Sequence, residues 1–355
     1  MSDIKMKPAR NRSMDCCKLV ASFFVVFIHV QFPDKLGVLI TGIARFAVPL
    51  FFAISGYFNY NSSCQKIKLR FRHILLLNFA GLGIQLFWPY ASAVLYESSF
   101  PKPLDVLYLE PRDNMQWLIL NINPYGAHLW YLSALLVCYV VLWLYVRFFG
   151  EEKINYKPLY IVSFVCMLLN LIHGEFALVF GMPSHYELIR NALFLGIPMF
   201  TFGIFLREYH DRIMSSYNLT TGKLVVLVLL GSVISIGESL CFGACDITTG
   251  ALLIAFALML LMIKHPCYIH WCVAEAVVSR FGAYSTLIYL VHMVVKEYYM
   301  GLQQYGLYLQ YGDAEAMMRP LIILGESLLI AVVVDSIVCV VTWLWKKTKT
   351  GLLIK

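Results

Sequence analysis

The sequence predicts an all-α fold, a polytopic membrane helix bundle of about ten transmembrane helices. Three observations predict it. Of 355 residues, 60% are hydrophobic and 14% charged, and the mean hydropathy is +0.72, more apolar than a soluble domain of this size requires. Apolar runs of roughly twenty residues, the length a bilayer core demands of a helix, recur along the whole chain. The lysines and arginines gather between alternate runs, as the positive-inside rule expects. The runs are long and continuous rather than alternating, which disfavours a β-barrel.

The expected spans are about 15–33, 37–60, 73–96, 128–149, 158–173, 188–206, 222–240, 246–263, 280–300 and 320–345. The first lies behind a basic stretch, as a signal peptide would. It ends in His29, Gln31, Phe32 and Pro33 instead of a small-residue cleavage site, so it is read as retained. With this arrangement roughly 21 of the lysines and arginines fall on one side and about five on the other. Both termini are therefore expected in the cytoplasm, with loops 97–127, 174–187, 241–245 and 301–319 outside. The division is a basic cytoplasmic N-terminus, 1–14, one transmembrane domain, 15–345, and a basic cytoplasmic tail, 346–355, in a cell (inner or plasma) membrane.

Ten cysteines form no disulfide framework, because most sit inside spans or at the reducing face. Cys241 and Cys245 share a short outer loop and could pair. "HPCYIHWC" at 265–272 matches no zinc spacing, and no metal site is expected. There is no Walker or dinucleotide fingerprint, and nucleic-acid binding has no support. Topology and anionic lipid headgroups account for the basic residues.

Charged side chains inside a span cost roughly 2.5–3.5 kcal/mol each, so each one asks for a reason. The first span, "DCCKLVASFFVVFIHV", carries Lys18 and His29 eleven residues apart, about three turns plus 20° and roughly 16 Å along the axis. Asp15 and Ser22 fall within about 40° of the same line, so one polar stripe runs down an otherwise apolar cylinder. Taken alone, Lys18 is compatible with snorkelling to the headgroups and His29 with the outer interface. The second span, "GVLITGIARFAVPLFFAISGYF", holds Arg45 roughly 12 Å below its outer end, Pro49 breaking the ladder in mid-span, and Ser55-Gly56 near the inner side. A structural kink and a ligand site both fit that pattern.

His128 opens the fourth span in "HLWYL" and Arg190 the sixth. In the ninth, Ser285, Tyr289, His292 and Lys296 form a second stripe. Glu326 sits about two turns below the outer end of the tenth. By depth, His29, Arg45, His128, Arg190, His292 and Glu326 belong to an outer chamber, and Lys18, Arg70 and Arg72 to a basic inner mouth suited to phosphate.

These residues resemble the acyltransferase 3 family of membrane O-acyltransferases, in its short form without a fused esterase-like domain. The resemblance is carried by "MDCCKLVASFFVVFIH", "FAVPLFFAISGYF", "HLWYLSALL" and "YSTLIYLVH", which cover much of the chain in order. It implies transfer of an acyl group, commonly acetyl, from cytoplasmic acyl-CoA to a hydroxyl of an extracytoplasmic glycan or lipid-linked envelope acceptor. His29 then matches the family's essential histidine and Lys18 its basic partner. The Arg-x-x-Arg element at the third helix is represented by "KIKLRFRH", with Arg70 and Arg72 as alternates. Glu326 matches by position in the last helix.

The chemistry fits this implication. Acyl transfer from a thioester to an alcohol needs a base working near neutral pH, which His29 provides, with Glu326 or another buried carboxylate to orient it. Acylation of His29 itself is the other route. Oxyanion donors could come from Arg45, Tyr289 or a broken-helix backbone, with His128, Arg190 and His292 in the same outer chamber. Lys18, Arg70, Arg72 and Ser55 are expected on the donor side. Acyl-CoA, acetyl-CoA in particular, is a substrate, and no tightly bound cofactor is expected. The competing class is a proton-coupled secondary transporter or glycan exporter, which places histidines and a glutamate at similar depths. Pro49 is the only helix interruption visible, without a counterpart in a second half, which favours the enzyme.

Overall fold

A computed structural model describes residues 11–96, 121, 123, 126–152, 154–183, 189–243, 246–267, 272–304 and 312–352. Among these the chain is helical, with no strand. Most of the outer loop 97–127, including Trp117 and Tyr125, lies outside the described residues. So do Cys245, and with it the expected Cys241 pairing.

Helix α1 is Arg12–His29, capped by the Asn11 side chain, which accepts from the Met14 N–H. Helices α2, Asp34–Ala44, and α3, Ala47–Tyr57, are the two halves of the second expected span. The break falls at Arg45 and Phe46, four residues before Pro49, because the proline ring displaces the carbonyl at i−4. Pro49 itself sits in the first turn of α3, where its missing N–H costs nothing. Helix α4, Cys64–Tyr96, begins nine residues before the expected third span and takes the basic run of Lys66 to Arg72 into its first turns. A 3₁₀ turn, Ala127–Leu129, leads into α5, Trp130–Phe149.

Helix α6, Lys157–Leu171, runs through a π turn, Ile172–Phe176, into Ala177–Val179. A second π turn, Ala192–Gly196, opens α7, Ile197–Glu208. Pro49 is thus not the only interruption in the bundle. The short α8, His210–Ser215, precedes α9, Thr221–Phe242, and α10, Thr249–Lys264. Helices α11, Cys272–Val278, α12, Phe281–Gln304, and α13, Asp313–Leu352, complete the chain.

Seven helices among the described residues are long and apolar enough to cross a membrane: α2 with α3, α4, α5, α6, α9, α12 and α13. The other three expected spans are occupied by α1, which carries Arg12, Asp15 and Lys18, by α7, interrupted at its start, and by α10, a shorter apolar helix. Apolar side chains on α13 such as Leu329, Ile337 and Val341 are exposed, as a lipid-facing helix requires.

Two apolar clusters organise the interior. The larger gathers α3, α5, α7 and α10 around Leu50, Phe52, Leu135, Phe200 and Ile263. The smaller joins α1, α12 and α13 through Val26, Ile288, Tyr299 and Ile323. Small residues let helices meet closely, as membrane bundles need where apolar burial between helices gives no drive. A Cβ on Gly56 would stand 1.7 Å from the Phe200 carbonyl oxygen, and one on Gly203 would stand 1.9 Å from that of Ala53. These contacts lock α3 to α7.

Candidate active site

The two polar stripes face each other. On α1, Asp15 and Ser22 are buried while Lys18 and His29 are half-buried. On α12, Ser285, Tyr289 and His292 are buried. The Ser285 hydroxyl donates to the Lys18 carbonyl oxygen at 2.9 Å, which fixes the register of the two helices near their N-terminal ends. At the C-terminal end of α1 His29 meets His292, with ring centroids 5.2 Å apart.

A third histidine completes the group. His128, placed by the 3₁₀ turn before α5, lies 6.2 Å from His29 and 5.1 Å from His292, centroid to centroid. Helix α12 holds it from below, the Tyr289 hydroxyl donating to the His128 carbonyl oxygen at 2.5 Å. His128 is 2% exposed and His292 fully buried, so the cluster is dry on two sides and reached at His29. No group of three or more His, Cys, Asp or Glu among the described residues is arranged to hold a metal ion, the three histidines included.

Beneath the cluster a cavity of about 180 Å³ runs between α1, α3, α4, α5 and α12. Lys18 and His73 mark one end, Tyr131 and Tyr289 the other, and Ser55 lies on its wall. Tyr289 is therefore shared, lining the cavity while its ring lies 5.6 Å from that of His128. Lys18 also stands over the Phe58 ring at 5.5 Å, a cation–π contact that holds the ammonium near the end of α3.

Two arginines expected in the same chamber form a second group. Arg45, at the junction of α2 and α3, donates to Asp246 at 2.9 Å, and Arg190 reaches the same carboxylate at 3.4 Å. Arg190 also lies over Trp130 at 5.6 Å.

The structure thus brings His29, His128, His292 and Tyr289 into one group and Arg45 with Arg190 into another. It joins Lys18 and Ser55 through the cavity. Glu326, a half-buried carboxylate on α13, makes no hydrogen bond with His29 or any other described residue. The two alternates Arg70 and Arg72 differ in their surroundings. Arg70 turns to the end of α3, donating to the Phe58 carbonyl at 2.7 Å, the Asn59 side-chain oxygen at 2.6 Å and Ser62 at 3.1 Å, whereas Arg72 is exposed.

Sequence reading missed Asp246, His73, Tyr131 and Gln85. Asp246 had a signal, since two arginines held inside a membrane protein call for a carboxylate. Gln85 is a buried amide on an apolar helix, 4% exposed with its nitrogen unpartnered. It lies beside Gly126 and His128: a Cβ on that glycine would meet Gln85 at 3.2 Å and the His128 ring at 3.3 Å.

Fold and site together define a multi-pass helical membrane protein with a histidine centre stacked on an internal cavity. Comparison with known families agrees with that class and narrows it. The chain belongs to the acyltransferase 3 family, whose domain, described as an acyltransferase domain, matches residues 11–344, nearly its whole length. It is accordingly a membrane acyltransferase, which decides between enzyme and transporter. No curated protein and no solved structure matches the chain.

Proposed function

We propose that the protein transfers an acyl group, acetyl in the simplest case, from cytoplasmic acyl-CoA to a hydroxyl of an extracytoplasmic glycan or lipid-linked envelope acceptor. One observation carries this reading. A cavity entered beside a lysine leads to a tyrosine that also contacts a cluster of three histidines. A long, thin donor with phosphates at one end and a thioester at the other suits such a path. Lys18 and the exposed Arg72 would meet its phosphates, and Ser55 and Tyr131 would flank its arm. Both termini are then cytoplasmic, and the histidine cluster opens toward the outer side.

In the reaction His29 takes the proton of the acceptor hydroxyl as its oxygen attacks the thioester carbonyl carbon. The new C–O bond forms and the tetrahedral intermediate collapses with cleavage of the C–S bond. The thiolate recovers the proton from His29 and leaves as CoA. Arg45 and Arg190, held by Asp246, would orient the acceptor.

The test is His29→Ala in purified protein, assayed for CoA release from acetyl-CoA with an extracted envelope acceptor. A general base is worth about 10²- to 10⁴-fold, and a loss of that size in a variant that still folds is expected. Full turnover in a folded His29→Ala protein would sink the proposal.

A further inference from the structure

We propose that His128 supplies the N–H group that receives the oxyanion during acyl transfer, a role the neutral His292 ring cannot fill because its Nδ1 hydrogen is committed to backbone carbonyls. The inference rests on the acyl-transfer reading above and assigns distinct roles within its histidine cluster.

The argument begins with tautomers. A neutral imidazole carries one N–H and one lone pair. In His292, Nδ1 lies 3.1 Å from the Ile288 carbonyl oxygen and 2.9 Å from that of Tyr289. Carbonyls only accept, so Nδ1 bears the hydrogen. Nε2 is therefore a bare lone pair, and it is buried without a partner. His292 cannot donate into the cluster while its ring is neutral.

His128 differs. Neither of its ring nitrogens has a hydrogen-bond partner, and the residue is 2% exposed. Whichever tautomer it adopts, one N–H stands buried and unsatisfied. Such a group is destabilising when left so, and in a native protein it asks for an explanation. A substrate oxygen that develops negative charge beside it supplies one.

Two other candidate donors, Tyr289 and Arg45, are turned elsewhere, and the Gln85 amide nitrogen lies beside the His128 ring without a partner of its own. Tyr289 commits its single hydroxyl hydrogen to the His128 backbone carbonyl. Arg45 is directed to Asp246. The Tyr289 bond has a second effect, for it fixes the backbone of the residue whose ring is left open. His128 is thus anchored at its main chain and free at its side chain, as a preorganised donor should be.

The step balances within these groups. The acceptor oxygen bonds to the carbonyl carbon, its proton passes to His29, and the carbonyl π electrons move onto oxygen. That oxyanion accepts the His128 N–H. When the carbonyl reforms the C–S bond breaks, and the thiolate takes the proton held on His29. His128 donates a hydrogen bond throughout and never loses its proton.

The experiment compares wild type, His29→Ala, His128→Ala, His128→Asn and His128→Gln, all as the full chain in liposomes. Labelled acetyl-CoA and an extracted envelope polysaccharide fraction are the probes, with thermal midpoint as the control for folding. Removing an oxyanion donor lowers kcat by about 10²- to 10³-fold. His128→Ala should show that loss with its KM for acetyl-CoA within about twofold of wild type. At least one amide variant, which keeps an N–H at a ring-nitrogen position, should recover tenfold or more of the loss. The amides also keep the test decisive should the alanine variant fail to fold. The proposal is overturned if folded His128→Ala keeps kcat within threefold of wild type, if the loss lies in KM alone, or if neither folded amide recovers activity. Failure of the underlying reading looks different: wild type itself would release no CoA, or His29→Ala would match it.

Discussion

Replacing Gly203 by alanine tests the seam that carries one wall of the cavity. The added Cβ would stand 1.9 Å from the Ala53 carbonyl oxygen and 2.7 Å from the Tyr57 N–H nitrogen. Ordinary contact begins near 3.4 Å, so α3 and α7 would have to part by roughly 1.5 Å. The obstructing atoms are backbone in a helix and cannot swing aside. The seam also buries Ala53, Ile54, Phe200 and Ile204 almost completely, and a gap of about 1 Å forfeits up to half of each dispersion contact along it. Overpacking typically costs about 1–3 kcal/mol, and with backbone on both sides the upper end applies. A fall in thermal midpoint of roughly 5 °C or more in detergent is expected. Because α3 also carries Ser55 into the cavity wall, acetyl-CoA-dependent CoA release should fall with it. Gly237, where a Cβ would meet nothing within 4 Å, is the control, and Gly237→Ala should hold or raise the midpoint. If Gly203→Ala melts within 1 °C of wild type and keeps full activity, the close seam is wrong.

Further predictions concern the charged groups. Asp246→Asn leaves Arg45 and Arg190 together without the carboxylate they share. Breaking a fully buried pair costs about 3–5 kcal/mol, and the partial exposure here brings the expectation to about 2 kcal/mol, read as a lower midpoint that Arg190→Gln partly restores. Arg70→Gln removes hydrogen bonds at the end of α3. It should lower the midpoint more than it raises the KM for acetyl-CoA, and a large KM change at unaltered stability would assign Arg70 to the donor instead. On α8, burial and the Arg207 guanidinium hold the His210 imidazole below the usual histidine range, with Asp211 opposing them, while Nδ1 meets the Tyr57 hydroxyl at 2.8 Å. A lowered value in the folded protein means its contribution to stability is fully present above about pH 6.5 and is lost as pH falls toward the lowered value. His210→Asn should therefore flatten the fall in midpoint between pH 7.5 and pH 5, and an unchanged slope would exclude His210 as a source of it.

What the sequence made legible followed from periodicity and local chemistry. The stripe on α1 and its counterpart on α12 are properties of 3.6-residue spacing, and the structure turns both inward. The break near Pro49 is a local steric effect, displaced to Arg45 because the ring acts on the carbonyl four residues earlier. The π turns at Ile172–Phe176 and Ala192–Gly196 carry no such mark, since each inserts a residue into an apolar run without disturbing composition. His128 was visible as a residue but not as a neighbour of His292: that contact depends on how the segment before α5 folds against α12. The partner expected for His29 was a carboxylate. What stands against its ring is two histidines, and the carboxylate of Asp246 is engaged by Arg45 and Arg190. Sequence spacing cannot reveal which of several arginines claims one aspartate across two hundred residues.

The most direct test of acyl transfer across the bilayer uses sealed proteoliposomes of one orientation with an envelope polysaccharide fraction enclosed. Labelled acetyl-CoA is supplied only at the face bearing Lys18, for wild type and His29→Ala. The account predicts that label reaches the enclosed polysaccharide, that CoA is released outside, and that both depend on His29. Label confined to the side where acetyl-CoA was added, or transfer that persists in a folded His29→Ala protein, would contradict it.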